Sequence, residues 1–269
     1  MGSAARAGGS DHPPTAGRRA DRRDPSAPEL PTVPTAPSQP SLDLVRRQII
    51  VCDRCPRLRA YCARVAREKR AAHRADRYWG RPVPGFGDPG ARLLILGLAP
   101  AAHGANRTGR VFTGDGSGDF LMRALHATGF ANIPTARRAD DGLVLSDAYI
   151  VAVVRCAPPG NKPTRDELAN CEPHLIDEIA ALPRLEWVIA LGRIAFEAYW
   201  RLVARRGIRM KPRARFAHGA RYAPAGAPGV IASYHPSRQN TNTGRLTPEM
   251  LYDVFAAARG ELIGPAGQH

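Results

Sequence analysis

The sequence contains very little lysine and no long apolar run. Of its 39 basic residues only 3 are lysine, and the other 36 are arginine. No segment approaches the ~18 consecutive apolar residues of a membrane-spanning helix. The first residues also lack the apolar core of a secretory signal. These absences argue against a helical membrane protein and favour a cytoplasmic protein in a reducing environment.

Cysteine is also scarce, with five residues in the chain. An odd number of cysteines without a secretion signal argues against a disulfide framework. Two separated pairs, Cys52-x2-Cys55 and Cys156-x14-Cys171, have spacings that suit either a tetrahedral zinc ion or an iron–sulfur cluster. Cys62 fits neither pair, and we interpret it as structural. The alternative is that all five are unrelated buried thiols.

The charge is unevenly distributed along the chain. The formal net charge is +15, but residues 1–43 carry five arginines and five acidic residues, so the excess lies in 44–269. Residues 1–43 also hold eight prolines and few large apolar residues, which predicts a disordered tail. Residues 44–269 are predicted to form one basic catalytic domain, and this charge favours a polyanionic partner such as nucleic acid.

Four short apolar segments alternate with helical segments. Strands are predicted at 92–98, 149–154, 187–191 and 230–234, and this alternation indicates an α/β fold whose mainly parallel sheet has helices on both faces. Ser41, Thr164 and Thr247 are predicted to cap helices. A basic helix is expected over about 57–74, and another helix over 119–128 with Asp119 as its N-cap.

Polar loops follow three of these strands, at 99–118, 155–163 and 235–246. Parallel strands would bring the loops to one edge of the sheet, where open α/β sheets place their sites. The 99–118 loop is far longer than the roughly 2–6 residues of an ordinary strand–helix connection. It contains neither GxGxxG nor a GK[ST] ending, so a soluble nucleotide is not expected there.

Several side chains in these loops suit a binding or catalytic site, although each has a structural alternative. His235 can donate a hydrogen bond to a developing anion, or it can be a core or capping histidine. Asn161 can hold a base edge or a water, or simply form a turn. Asp115 can act as a base or stabilise a cationic sugar. Phe112 can stack on a base, or fasten its loop to the sheet.

Three segments carry a resemblance to a known family. GLAPAAHGANRTGRVFTGD (97–115), RCAPPGNKPT (155–164) and HPSRQNTNTGRLT (235–247), together with the two cysteine pairs, resemble family 5 (the UDGb type) of the uracil-DNA glycosylase superfamily. The resemblance runs from about Cys52 to the last predicted helix. It implies a three-layer α/β/α domain with a four-stranded parallel sheet and a structural 4Fe-4S cluster. The implied cluster ligands are Cys52, Cys55, Cys156 and Cys171.

The resemblance also implies an activity, which is hydrolysis of the N-glycosidic bond of deaminated bases in single- or double-stranded DNA during base excision repair. The enzyme would act as a monomer at the nucleoid. His235 would stabilise the leaving base, Asp115 would position water or stabilise the sugar cation, and Asn161 would hold the base or the water. The implied substrate-binding residues are Gly97, Ala99, Ala101, His103, Asn106 and Phe112, and the implied DNA contacts are Arg107, Arg110, Ser237, Arg238, Gln239 and Arg245.

Three small residues depart from the pattern of most superfamily members. Most members have an acid or asparagine at the position of Ala99. Alanine at this position is the pattern of family 5. Ala101 replaces an aromatic that blocks the methyl group of thymine, and Ala152 replaces an asparagine that reads uracil. These departures predict a roomy pocket that accepts uracil and also hypoxanthine. The alternatives are a non-catalytic iron–sulfur module that binds nucleic acid, and an electron-transfer enzyme, although the CxxxCxxC pattern of radical enzymes is absent.

Overall fold

The computed structural model describes residues 41–264. The tail predicted for residues 1–43 therefore lies outside the described residues, except that its last positions already lead into the first helix. Within the described part, no helix is both long and apolar enough to cross a membrane. The helices are α1 Leu42–Ile50, α2 Pro56–Glu68, α3 Ala105–Thr108, α4 Gly116–Ala127, α5 Arg165–Ala180, α6 Arg193–Arg205, α7 Arg238–Asn242 and α8 Pro248–Ile263.

The sheet has six strands in the order β1-β3-β2-β4-β6-β5. The four predicted strands are present and parallel to one another. The sheet is wider than expected, because β1 and β5 add a two-residue antiparallel strand at each edge. Segments of two residues are too short to show an alternating pattern, so the sequence did not indicate them. The strands are β1 Phe86–Gly87, β2 Leu93–Gly97, β3 Ala148–Ala152, β4 Trp187–Leu191, β5 Arg221–Tyr222 and β6 Gly229–Ser233.

Both faces of the sheet are covered by helices. In β2, Leu93 and Ile95 belong to the core that includes α4 and α8. Leu94 and Leu96 point the other way, into the core that includes α5 and α6. This two-residue alternation is what a strand buried on both sides requires. The prediction of an α/β fold with helices on both faces is confirmed.

The helix caps explain where most of the elements begin. Ser41, Thr164 and Thr247 each accept a hydrogen bond from a backbone N–H of the first turn, and Thr164 forms a capping box with Glu167. The α2 helix ends at Glu68, well before the predicted position 74. Lys69 adopts a positive φ of 54°, and the helical geometry cannot continue through that conformation.

One helix start was assigned to the wrong residue. The α4 helix begins at Gly116 with Asp115 as its N-cap, four positions before Asp119. Both aspartates precede a helical pattern, so the sequence alone did not distinguish them. Asp115 is therefore held at the N-terminus of α4 and is not part of the preceding loop.

Candidate active site and cysteine cavity

Asp115 lies at the N-terminus of α4 with its two carboxylate oxygens in different surroundings. Its Oδ1 accepts a hydrogen bond of 2.9 Å from the backbone N–H of Gly118. Its Oδ2 faces Gly104 so closely that no Cβ would fit at that position. Burial raises the pKa of Asp115 even though backbone N–H groups and Arg238 favour its charged form. The second oxygen is therefore a desolvated acceptor beside the glycine-rich loop.

His235 and Phe112 come from different loops and face each other. Their ring centroids are 5.8 Å apart and the rings are inclined by 31°. The Phe112 ring also lies against the end of β2, where a Cβ on Gly97 would come within 2.7 Å of its Cε2 atom. Burial lowers the pKa of His235 to about 4, so its imidazole is neutral at pH 7. Phe112 thus contacts the sheet edge and the histidine at once.

The loop that carries His235 is held by its own side chains. The Ser237 hydroxyl accepts from the backbone N–H of Asn240 at the start of α7. The Asn240 amide donates a 2.8 Å hydrogen bond to the carbonyl of His235. Gly192 lies beside the histidine with φ 94°, and a Cβ there would stand 3.4 Å from the Cβ of His235. Asn240 and Gly192 were not identified from the sequence, because their role depends on contacts across the fold.

Arg238, Gln239 and Arg245 are exposed in this same loop. Arg238 reaches towards α4, where a Cβ on Gly116 would lie 3.7 Å from its Nε. The Arg245 guanidinium lies over the ring of Tyr234, 4.6 Å from the centroid. Both predicted cations are thus free to meet a ligand at the edge that holds His235 and Asp115.

Arg107 and Arg110, which were predicted to contact DNA, instead point inward. Arg107 donates to the carbonyls of His103 and Gly114 and pairs with Asp76 at 2.7 Å. Arg110 is buried and pairs with Asp141 at 2.7 Å. Their hydrogen-bonding groups are occupied by the protein, so these two arginines hold the loop together.

Two predicted substrate-binding residues are also tied to the loop. Asn106 is fully buried, and its amide donates to the carbonyls of Cys62 and Ala102. His103 is half-buried, with its Nδ1 3.0 Å from the hydroxyl of Tyr78. Burial lowers the pKa of His103, and nearby positive charges act in the same direction. These contacts support a structural role for Asn106 and leave His103 at the margin of the site.

The remaining predicted residues divide into two groups. Ala99 and Ala101 are partly exposed just beyond the end of β2, beside the loop that carries Phe112. Asn161 is exposed at the end of the turn 159–161, with a φ of 58° that asparagine tolerates well. Within residues 41–264 no side-chain hydrogen bond connects Asn161 to His235 or Asp115. Its geometry therefore agrees with the turn alternative.

The four paired cysteines line one small cavity. Cys52, Cys55, Cys156 and Cys171 surround it. The backbone N–H of Arg155 donates to the sulfur of Cys171 at 3.2 Å. Burial raises the pKa of Cys55 and raises that of Cys171 to about 11, so these thiols are protonated until a metal displaces the proton.

The surroundings of this cavity suit an anionic group. Arg54, Arg59 and Arg155 also line it. Among residues 41–264, the Nε and Nη1 atoms of the fully buried Arg155 find no hydrogen-bond partner. Among the described residues, no three His, Cys, Asp or Glu side chains lie close enough to share one metal ion. Four thiols around one cavity nevertheless fit a multi-iron cluster, in which each thiolate binds a different iron.

Comparison with known proteins gives consistent matches. A family model described as the uracil DNA glycosylase superfamily matches residues 84–259. The chain is 51% identical over 211 residues to a type-5 uracil-DNA glycosylase of Thermus thermophilus, covering 78% of this chain and 94% of that protein. It is 48% identical over 220 residues to one from Mycobacterium leprae, covering 81% and 95%. A type-4 uracil-DNA glycosylase of Pyrobaculum aerophilum is 34% identical over 157 residues, covering 58% and 62%.

Proposed function

This chain belongs to the uracil-DNA glycosylase superfamily, and we propose that it hydrolyses the N-glycosidic bond of uracil in DNA, releasing uracil and leaving an abasic site. The observation that carries the proposal is the high identity to type-5 uracil-DNA glycosylases over nearly their whole length. The meeting of His235, Phe112 and Asp115 at one edge of the sheet supports it. A nucleotide flipped out of the duplex would bring its base to this edge.

His235 is the proposed donor to the leaving base. When the bond between C1′ and the base nitrogen breaks, its electron pair stays with the base, which becomes an anion. A neutral imidazole can stabilise that anion through its N–H, and the low pKa of about 4 keeps His235 neutral at physiological pH. The position of the ring beside Phe112 supports this role, because a base stacked on Phe112 would lie within its reach.

Asp115 is the proposed partner of the sugar and the water. As the base leaves, positive charge develops on the sugar, and the oxygen of water bonds to C1′. One proton of the water is released and the other remains on the new hydroxyl, while the base anion takes up a proton. The Oδ2 atom, which the helix cap does not use, can stabilise the cation or orient the water.

Small side chains support a broad substrate range. Ala99 and Ala101 follow β2, and Ala152 ends β3, all at the carboxyl edge of the sheet. Methyl groups at these places leave space that an acid, an aromatic or an amide would occupy. We therefore propose hypoxanthine as a second substrate, in single- or double-stranded DNA. We expect the protein to work as a monomer at the nucleoid, where its DNA substrate is found.

The cysteine cavity is the proposed site of a structural 4Fe-4S cluster. Its ligands would be Cys52 and Cys55 between α1 and α2, Cys156 after β3, and Cys171 on α5. Such a cluster would join three distant parts of the chain and would supply no chemistry to the hydrolysis. Cys62 is fully buried and its thiol contacts the carbonyl of Ala157, so it is proposed to be a structural thiol outside the ligand set.

Excision assays test the activity. The purified protein is incubated with oligonucleotides that carry uracil opposite guanine, hypoxanthine opposite thymine, or thymine opposite guanine, and alkali then cleaves at abasic sites. We expect cleavage with uracil and hypoxanthine, and the thymine strand reports whether Ala101 leaves room for the methyl group of that base. Cleavage of the uracil strand alone would refute the roomy pocket, and no cleavage of any strand would refute the glycosylase proposal.

Iron content tests the cluster independently. We expect Cys156→Ala to lose the iron, the sulfide and the visible absorption of the purified protein. Cys62→Ala is the matched control, because it removes a buried thiol next to Cys156 that is outside the proposed ligand set. Retention of iron by Cys156→Ala, or loss of iron by both variants, would contradict the assignment.

A further inference from the structure

Residues 208–216 form a strap, here called the basic strap, that lies along α6. Its exposed residues include four cations spaced two residues apart. Of the residues between them, Met210 and Ala214 are half-buried, while Pro212 is exposed at a bend, so the segment alternates between protein and solvent on either side of that bend. The exposed cations are Arg209, Lys211, Arg213 and Arg215, and the half-buried residues are Ile208, Met210, Ala214 and Phe216.

The basic strap is held to the protein at both ends. At one end, the guanidinium of Arg209 donates a 2.6 Å hydrogen bond to the carbonyl of Ala204 at the end of α6. At the other end, Tyr222 accepts from the N–H of Arg215 and donates to its carbonyl. The ring of Phe216 packs at 5.7 Å from Phe196 of α6. The row of cations is therefore presented by an anchored segment.

The cations of the basic strap lack acidic partners in the part of the chain that the structure describes. On either side of it, Arg205 pairs with Glu172 and Arg221 pairs with Glu261. In the part of the chain from 41 to 264, no carboxylate lies within ion-pair distance of the four strap cations. Four unpaired charges in a row raise the electrostatic free energy of the folded protein unless counter-ions or an anionic partner balance them.

One end of the basic strap adjoins the candidate active site. Phe216 lies 6.1 Å from the ring of Tyr234, which directly precedes His235. The ring of His218, two residues after Phe216, also stacks on Tyr234, with 5.1 Å between the ring centroids. Arg215 is thus near the His235 loop. Arg209 is six residues earlier, at most about 20 Å away for a chain that rises roughly 3.3 Å per residue.

We propose that the basic strap binds phosphates of duplex DNA on one side of the flipped nucleotide, beyond the reach of the His235 loop. The proposal rests on the proposed function, since it takes the candidate active site as the position of the flipped nucleotide. Each strand of a duplex presents a phosphate about every 3.4 Å along the axis, so a segment of at most ~20 Å spans up to about six base pairs. Contacts between exposed cations and backbone phosphates position the duplex and give no sequence preference.

Binding measurements on duplexes with different flanks test the proposal. Each duplex carries a tetrahydrofuran abasic analogue, and the three duplexes have short flanks on both sides, a long 5′ flank or a long 3′ flank. The Kd is measured by fluorescence anisotropy over a range of salt concentrations. The test variant replaces all four strap cations by serine, and the matched control replaces four exposed arginines of α1, α2 and the connection between α5 and β4. The control substitutions are Arg46→Ser, Arg47→Ser, Arg67→Ser and Arg184→Ser.

We expect the strap variant to lose affinity for only one of the two long-flank duplexes. Removing up to four phosphate contacts reduces the magnitude of the slope of log K against log salt by up to about 3.6, and the affinity at low salt falls roughly 10- to 100-fold. Affinity for the short duplex stays within about twofold of wild type, and the control variant stays within about twofold on all three. A thermal unfolding scan of both variants checks that each remains folded.

Two results would overturn the proposal. An equal loss on all three duplexes would show general attraction to DNA without a defined contact. No loss on any duplex would refute binding of the strap to duplex DNA and would favour another polyanion, such as RNA or an acidic protein. Neither result bears on the glycosylase activity, because excision of uracil by the wild-type protein is measured separately.

Discussion

Loop 99–118 and loop 235–246 each follow a parallel strand, and each carries two arginines, yet the two loops use these residues in opposite ways. Arg107 and Arg110 are satisfied by carbonyls and by Asp76 and Asp141. Arg238 and Arg245 are exposed, with no carboxylate at ion-pair distance in residues 41–264. The difference lies in whether a distant acid meets the guanidinium. The first loop therefore uses arginine as scaffold, and the second offers it to a ligand.

The largest effect on stability should come from replacing Arg110, one of the two arginines that hold loop 99–118 together. Arg110→Ala would take the guanidinium partner away from the half-buried Asp141 and would remove a buried side chain, which costs about 3 kcal/mol of unfolding free energy. Arg238→Ala should change the same quantity by less than about 0.5 kcal/mol, since surface substitutions away from such contacts rarely do more. Denaturant unfolding of both variants measures the contrast. Equal stability in the two variants would erase the distinction between the loops.

The next largest effect concerns the chemistry of the second loop. His235→Ala should reduce single-turnover excision of uracil by about 10²- to 10³-fold, the usual cost of removing one donor to a developing anion. His126 is exposed on α4, so His126→Ala serves as the control and should retain full activity. Comparable activity in the two variants would remove His235 from the proposed mechanism.

A pH series should show that His235 is desolvated although its loop is at the surface. The pKa of His235 is about 4 in the folded protein, against about 6.5 for an unperturbed histidine. As the pH falls, the unfolded chain therefore takes up a proton at this histidine before the folded protein does. The free energy of unfolding keeps the full contribution of His235 above about pH 6.5 and loses it as the pH falls towards 4. Between pH 7 and 4.5, the wild type should lose more unfolding free energy than His235→Gln. Equal losses would place the ring in solvent.

The smallest effect should come from the exposed arginines of the second loop. Arg245→Ala should weaken binding to an abasic-site duplex several-fold and lower the salt slope by about 0.9, as expected for one phosphate contact. The same substitution at Arg46, on α1, should leave both quantities unchanged. An unaltered salt slope for Arg245→Ala would mean that its charge is satisfied by Tyr234 alone.

These contrasts also show which features were readable from the sequence. The parallel strands were found because runs of apolar residues, such as those around Ile95 and Ile189, are continuous when a strand is buried on both faces. The capping box at Thr164 was found because its signal is local. The edge strands were missed, since a two-residue ladder depends on its partner and not on its own pattern.

The candidate site was predicted less completely, and for a physical reason. Phe112 and His235 follow two different parallel strands, and the topology of the sheet brings their rings together at one edge. The direction of Arg107 and Arg110 depended on acids about 30 residues away, and no local rule encodes such a pairing. The choice between Asp115 and Asp119 as the N-cap depended on where α4 meets Gly104, which is again a contact across the loop.

Asp115 combines a helix cap with a second carboxylate oxygen that the cap does not use, and this has an evolutionary consequence. Under the proposed mechanism, natural selection for a stable α4 and selection for the chemistry of the site act on the same side chain. Alanine would lose both properties in one step, whereas asparagine keeps a capping oxygen and loses only the negative charge. Asparagine, serine and threonine can all cap the helix without the charge, so a change of the acid that keeps α4 capped is confined to these few residues.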